Sequence, residues 1–118
     1  MKKRLKSFQY AFNGLRVLFY EEANARIHLV AAIAVILLGL LLKITAPEWL
    51  IILFCIALVF ICEIINTAIE NLCDFISPEK HELIKKTKDL AAAAVLIAAV
   101  FSVVVGLIIF LPKVFVLL

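Results

Sequence analysis

Apolar residues fill three long stretches of this chain, separated by short polar segments. No Asp, Glu, Lys or Arg occurs from Ile27 to Leu42, from Trp49 to Cys62, or from Leu90 to Pro112. Each run fits a membrane span of about 20 residues once its ends are allowed to snorkel. Ahead of them, Leu5, Phe8, Phe12, Leu15 and Phe19 recur at spacings of three and four, while Lys6, Gln9, Asn13 and Arg16 keep the same rhythm on another face. That pattern predicts a helix lying in the membrane surface, with Asn24 to Arg26 as the bend into the first span. The expected fold class is all-α and integral to the membrane. One domain covers 1–118, with a surface helix over about 4–22 and spans over about 27–46, 48–66 and 90–112.

The second span is unusual. Pro47 suits the first turn of a helix, and no break residue follows until Ser77-Pro78, so one helix is expected from Glu48 to Ile76. At roughly 45 Å it outruns the hydrocarbon layer, and its last turns project into the cytoplasm. Glu63 would sit about 24 Å in, near the inner edge of the hydrocarbon. In the third span, Ala91, Ala94, Ala98, Ser102 and Gly106 form a stripe of small residues that suits close helix packing in lipid.

Composition narrows the function. The 118 residues are 66% apolar, against about 45 to 50% in an ordinary soluble domain. A chain this short has no room for a separate soluble catalytic domain, so any chemistry must sit on the spans and their connections. Only Gly14, Gly39 and Gly106 are glycines, which excludes a Gly-rich phosphate loop. A net charge of +3 without a continuous basic face is a poor fit to nucleic-acid binding. Cys55, Cys62 and Cys73 lie on one expected helix, too far apart to pair, and read as free small hydrophobes. Lys2, Lys3, Arg4, Lys6, Arg16 and Arg26 precede the first span, and Lys80, Lys85, Lys86 and Lys88 lie between the second and third. The positive-inside rule then places the N-terminus and that second loop in the cytoplasm, leaving Lys43 and Lys113 outside.

Against this background the remaining acids stand out. Glu63, Asn66, Glu70 and Asp74 share one helix face. Three carboxylates and a carboxamide at a membrane edge are expensive unless paired, protonated or bound to a cation. Such oxygen ligands suit a hard cation such as Mg²⁺, which takes one or two carboxylates plus phosphate oxygens and water. Glu21, Glu22, Glu79, His81, Glu82, Lys88 and Asp89 reach the same boundary. Together they look like a site for a metal and a polyphosphate.

The run Glu63-Ile64-Ile65-Asn66-Thr67-Ala68-Ile69-Glu70, followed by Asp74, strongly resembles the signature of the small prokaryotic diacylglycerol kinase and undecaprenol kinase family. Agreement continues through Glu79, His81-Glu82-Leu83, Lys88-Asp89 and Ala93-Ala94-Val95, and begins earlier with Tyr10, Gly14-Leu15-Arg16 and Glu22. The resemblance implies a multi-pass lipid kinase of the bacterial cytoplasmic membrane, a homotrimer with active sites between subunits, using Mg-ATP without a P-loop. It implies that Glu63 is the general base for the lipid hydroxyl with Asn66 beside it, and that Glu22 and Glu70 are the Mg²⁺ ligands. Tyr10, Glu22, Glu70, Glu79, His81, Lys88 and Asp89 match positions that hold the nucleotide and its metal. The family often carries an arginine near the N-terminus at the nucleotide, where this chain has Lys3 next to Arg4; a lysine keeps the charge but loses the bidentate fork.

Two acceptors fit the resemblance. The short chain, its Leu107 to Lys113 end and the Asn-Thr-Ala form of the signature look more like the undecaprenol kinase branch, with diacylglycerol as the alternative. A small proton-coupled transporter is the reading from another class, since a membrane glutamate can alternate between proton and substrate. A non-enzymatic packing subunit is a third, and it leaves the acidic face unexplained.

Overall fold

The computed structural model describes residues 1–77, 79 and 81–118; Pro78, expected at the helix break, and Lys80, counted with the basic loop, lie outside them. Four helices follow in order: α1 Lys2–Glu21, α2 Ala23–Leu42, α3 Ala46–Ile76 and α4 Glu82–Leu117. The fold is all-α among the described residues, and α2, α3 and α4 are each long and apolar enough to cross a membrane.

Helix length follows from how far each sequence runs without a stop. The 20 residues of α2 make about 30 Å, a match to the hydrocarbon. The 31 residues of α3 and 36 of α4 make about 46 and 54 Å, so both project beyond it. α3 starts on a capping box, in which Thr45 and Glu48 satisfy each other's backbone amides. Pro112 does not end α4, which continues to Leu117.

α3 and α4 form the main hairpin, packed along their length, with α2 against it more loosely. Lys113 pairs with Glu48 at 3.1 Å at one end, and Lys88 pairs with Asp74 at the other. Of the small-residue stripe, Ala91 and Ala98 are buried and the Ser102 hydroxyl reaches the Cys55 carbonyl at 3.5 Å, whereas Ala94 is exposed. Most remaining apolar side chains on all four helices stay exposed, as a lipid-facing surface requires. Much of the apolar stripe of α1 is among them: Leu5, Phe8 and Phe12 are exposed, and only Leu18 of that helix is buried.

Two backbone details set the layout. Lys43 adopts the left-handed conformation (φ 53°) that ends α2 and turns the chain toward α3. Gly39 lies where a β-carbon would come within 2.8 Å of the Trp49 ring, so its lack of a side chain admits the turn against α2. The bend into the first span is not at Asn24 to Arg26, which belong to α2. It is at Glu22, the one extended residue between α1 and α2. Arg26 explains the shift: from the first turns of α2 its guanidinium donates back to the carbonyls of Phe19 (3.1 Å) and Tyr20 (3.0 Å), closing the open end of α1.

Candidate active site

The Glu22 elbow puts the end of α1 against the inner part of α3. Phe19 meets Phe60 edge-on, ring centroids 5.8 Å apart, one turn before Glu63. Leu18 beside it is 2% exposed. This contact fixes Glu22 over the polar face of α3.

Along that face burial grades from complete to none. Glu63 is 1% exposed; Asn66 and Thr67 are also buried, Glu70 is half-buried and Asp74 is exposed. Spacing of three and four residues makes one stripe that climbs out of the apolar region into the aqueous end of the hairpin. The Asn66 amide donates to Glu70 Oε1 at 3.1 Å, steadying the carboxylate one turn further on. Among the described residues, three buried oxygens, Glu63 Oε1, Asn66 Oδ1 and Thr67 Oγ1, have no hydrogen-bond partner. A buried polar atom left unpaired costs about 1 to 3 kcal/mol, so three in adjacent turns mark a place built to meet something else.

Charge points the same way. Burial raises the Glu22 carboxyl above its ordinary value, and the neighbouring charges of Glu70, then Glu63 and Glu21, raise it further. The Thr67 hydroxyl is near enough to oppose that rise, although among the described residues its oxygen makes no hydrogen bond. Acids that repel one another in this way would be favoured by a nearby cation. Among the described residues no three His, Cys, Asp or Glu side chains converge as a complete metal cage. Glu22 and Glu70 supply two carboxylates, which fits Mg²⁺, an ion that draws its remaining oxygens from phosphate and water.

The other expected residues lie around the aqueous end. His81 caps α4, its Nδ1 accepting from the Leu83 amide at 3.1 Å, which in the neutral ring puts the proton on Nε2. Glu79 is exposed, and its carbonyl accepts from the Ser77 hydroxyl. Lys88 is engaged by Asp74, and Asp89 by Lys85 at 2.8 Å. Tyr10 stands exposed on α1, about 18 Å along the helix axis from Glu22, and is not brought to the cluster. Lys3 and Arg4 are exposed at the far end of α1. The chain therefore unites Glu22, Glu63, Asn66 and Glu70, places Lys88 beside Asp74 at the aqueous end, and leaves Tyr10, Lys3 and Arg4 away from the cluster.

Two residues join them without having been expected there. Thr67 is one. The other is His28 of α2, whose Nε2 lies 3.2 Å from Glu63 Oε1. Scanning for runs without charged residues passes over a histidine, because it counts as neutral; its presence within an otherwise apolar first span was the available signal.

The prokaryotic diacylglycerol kinase family pattern matches residues 9–110. The chain belongs to that family. It is 42% identical to an undecaprenol kinase of Bacillus subtilis over 113 residues, covering 96% of this chain and 92% of that one. It is 40% identical to a Synechocystis diacylglycerol kinase, covering 92% of this chain and 62% of that protein. A diacylglycerol kinase of Escherichia coli is 36% identical, with 85% and 82% covered. This chain is accordingly a membrane lipid kinase, and the transporter and packing-subunit readings fall away.

Proposed function

We propose that this kinase transfers the γ-phosphate of Mg-ATP to the hydroxyl of a membrane lipid alcohol at the cytoplasmic face, with undecaprenol as the acceptor. The observation that carries the reading is the buried stripe of unpaired oxygens beside mutually repelling carboxylates, open toward the aqueous end of the hairpin. The acceptor is favoured by the 42% identical undecaprenol kinase, which aligns over nearly the full length of both chains. Diacylglycerol is the competing acceptor, carried by the relatives named for it.

Each residue then has a task. Glu63, held at the depth of a lipid head group, takes the hydroxyl proton. Asn66 holds the Glu70 carboxylate in place. Glu22 and Glu70 hold Mg²⁺, which when bound neutralises charge on the phosphates. Lys88 and the Nε2–H of His81 meet phosphate oxygens, while Tyr10, Glu79 and Asp89 form the rest of the nucleotide rim. Lys3 or Arg4 supplies one further positive contact. Phosphoryl transfer asks for such positioning and charge balance more than for covalent chemistry.

The same reading gives the protein an N-terminus in the cytoplasm, a place in the bacterial inner membrane and a homotrimeric assembly. The exposed flanks of α2 and α4 leave room for neighbouring copies, whose rim residues would complete the nucleotide site. Purified protein supplied with labelled ATP and either undecaprenol or a diacylglycerol tests the acceptor. Faster labelling of undecaprenol is the expected result, and faster labelling of the diacylglycerol overturns that choice.

A further inference from the structure

His28 was expected in no role. It sits on α2, which faces α3 at this level, and its Nε2 approaches Glu63 Oε1 to 3.2 Å. Glu63 is 1% exposed, and the His28 side chain is itself largely covered, at 26%. The distance is that of a hydrogen bond, while Oε1 still counts among the unpaired atoms because the ring N–H is not aligned on it. Catalytic pairs are commonly slack before substrate arrives and tighten in the reacting complex.

The ring's surroundings are mostly apolar. His28 lies at the edge of a cavity of about 390 Å³ between α2, α3 and α4, whose lining is aliphatic and aromatic apart from His28, Cys55 and Ser102. Among the described residues Glu63 is the only acidic group paired with it. The histidine thus stands between a largely apolar cavity and a buried carboxylate.

We infer that His28 is a positioning residue for Glu63. It donates Nε2–H to Oε1 and so presents Oε2 to the acceptor hydroxyl. During transfer the lipid O–H gives its proton to Oε2 as its oxygen bonds to the γ-phosphorus. The bond from that phosphorus to the bridging oxygen breaks, and its electron pair leaves with ADP. The histidine keeps its own proton and acts through orientation and through the charge-assisted bond. This deepens the proposed function and rests on Glu63 being the base.

The test compares His28→Leu, His28→Gln and Glu63→Gln in the full-length protein, assayed with ATP and, in turn, undecaprenol and a diacylglycerol. His28→Leu should lower kcat roughly tenfold, the scale of one hydrogen bond to a charged group, with KM for ATP unchanged. His28→Gln, which still offers an N–H, should recover most of the loss. A His28→Leu enzyme with wild-type kcat overturns the inference. So does an equal loss in both histidine variants, or a rise in KM for ATP, since either marks a structural role. If Glu63→Gln retains its rate, the base assignment fails and takes this inference with it. If Glu63→Gln is inactive while His28→Leu is normal, only the histidine's role fails.

Discussion

The Asn66 amide donates to Glu70 Oε1 across one turn of α3, at 3.1 Å. The residue next to the proposed base therefore also orients a proposed metal ligand, and the two halves of the reaction share one rigid helix. Glu70 is only half-buried, so without the amide its carboxylate has freedom to swing toward solvent.

Removing that amide should be felt at the metal. Asn66→Ala is expected to weaken the use of Mg-ATP by about 10- to 100-fold, the usual effect of losing a group that orients a metal ligand. Raising Mg²⁺ should restore part of the rate. Kinetics measured across a Mg²⁺ titration check this, and a variant whose Mg²⁺ dependence matches the wild type contradicts it.

The Glu22 carboxyl gives a pH dependence with a definite sign. Its folded-state pKa is raised by burial and by Glu70 and Glu63, so the folded chain binds this proton more tightly than the unfolded chain. Without metal, stability is therefore lost as pH rises from the ordinary value of 4.5 through the raised one. Mg²⁺ must displace that proton, so its apparent affinity should climb with pH across the same window, by up to about tenfold per unit for one proton released. Melting temperatures in a grid of pH and Mg²⁺ test both slopes. Glu70→Gln, which removes the neighbouring charge with the largest effect, should flatten the metal-free slope.

Stability and chemistry should separate at Gly39. Alanine there gains about 0.5 to 1 kcal/mol of helix preference, but its β-carbon falls 2.8 Å from the Trp49 ring. Overpacking of that kind costs about 1 to 3 kcal/mol, so the clash prevails and Gly39→Ala should melt earlier. The position is far along α2 from His28 and Glu22, so kcat below the melting range should stay at the wild-type level. A stabilised variant, or one with a damaged kcat, contradicts the packing described.

Much of this molecule was legible in its sequence because lipid leaves few options. An apolar run must become a helix there, and three runs became α2, α3 and α4. The stripe Glu63, Asn66, Glu70 and Asp74 was legible because helical periodicity puts those positions on one face whatever surrounds them. The elbow was not. Residues 21 to 26 are polar enough to bend anywhere, and the choice of Glu22 depends on Arg26 reaching back to two carbonyls. Nor was the meeting of His28 with Glu63, which joins two helices through packing that no local spacing encodes. Tyr10, Glu79, His81, Lys88 and Asp89 were picked out by resemblance; Lys88 pairs with Asp74 at the aqueous end, and Tyr10 stands away from the cluster on α1.

The central claim is that Glu63 takes the proton from a lipid hydroxyl during phosphoryl transfer. Its most direct test is the turnover of Glu63→Gln with labelled ATP and undecaprenol, alongside nucleotide binding by the same protein. The account predicts that turnover falls to background while ATP binding with Mg²⁺ stays near the wild-type level. A Glu63→Gln enzyme that phosphorylates the lipid at close to the normal rate would contradict it.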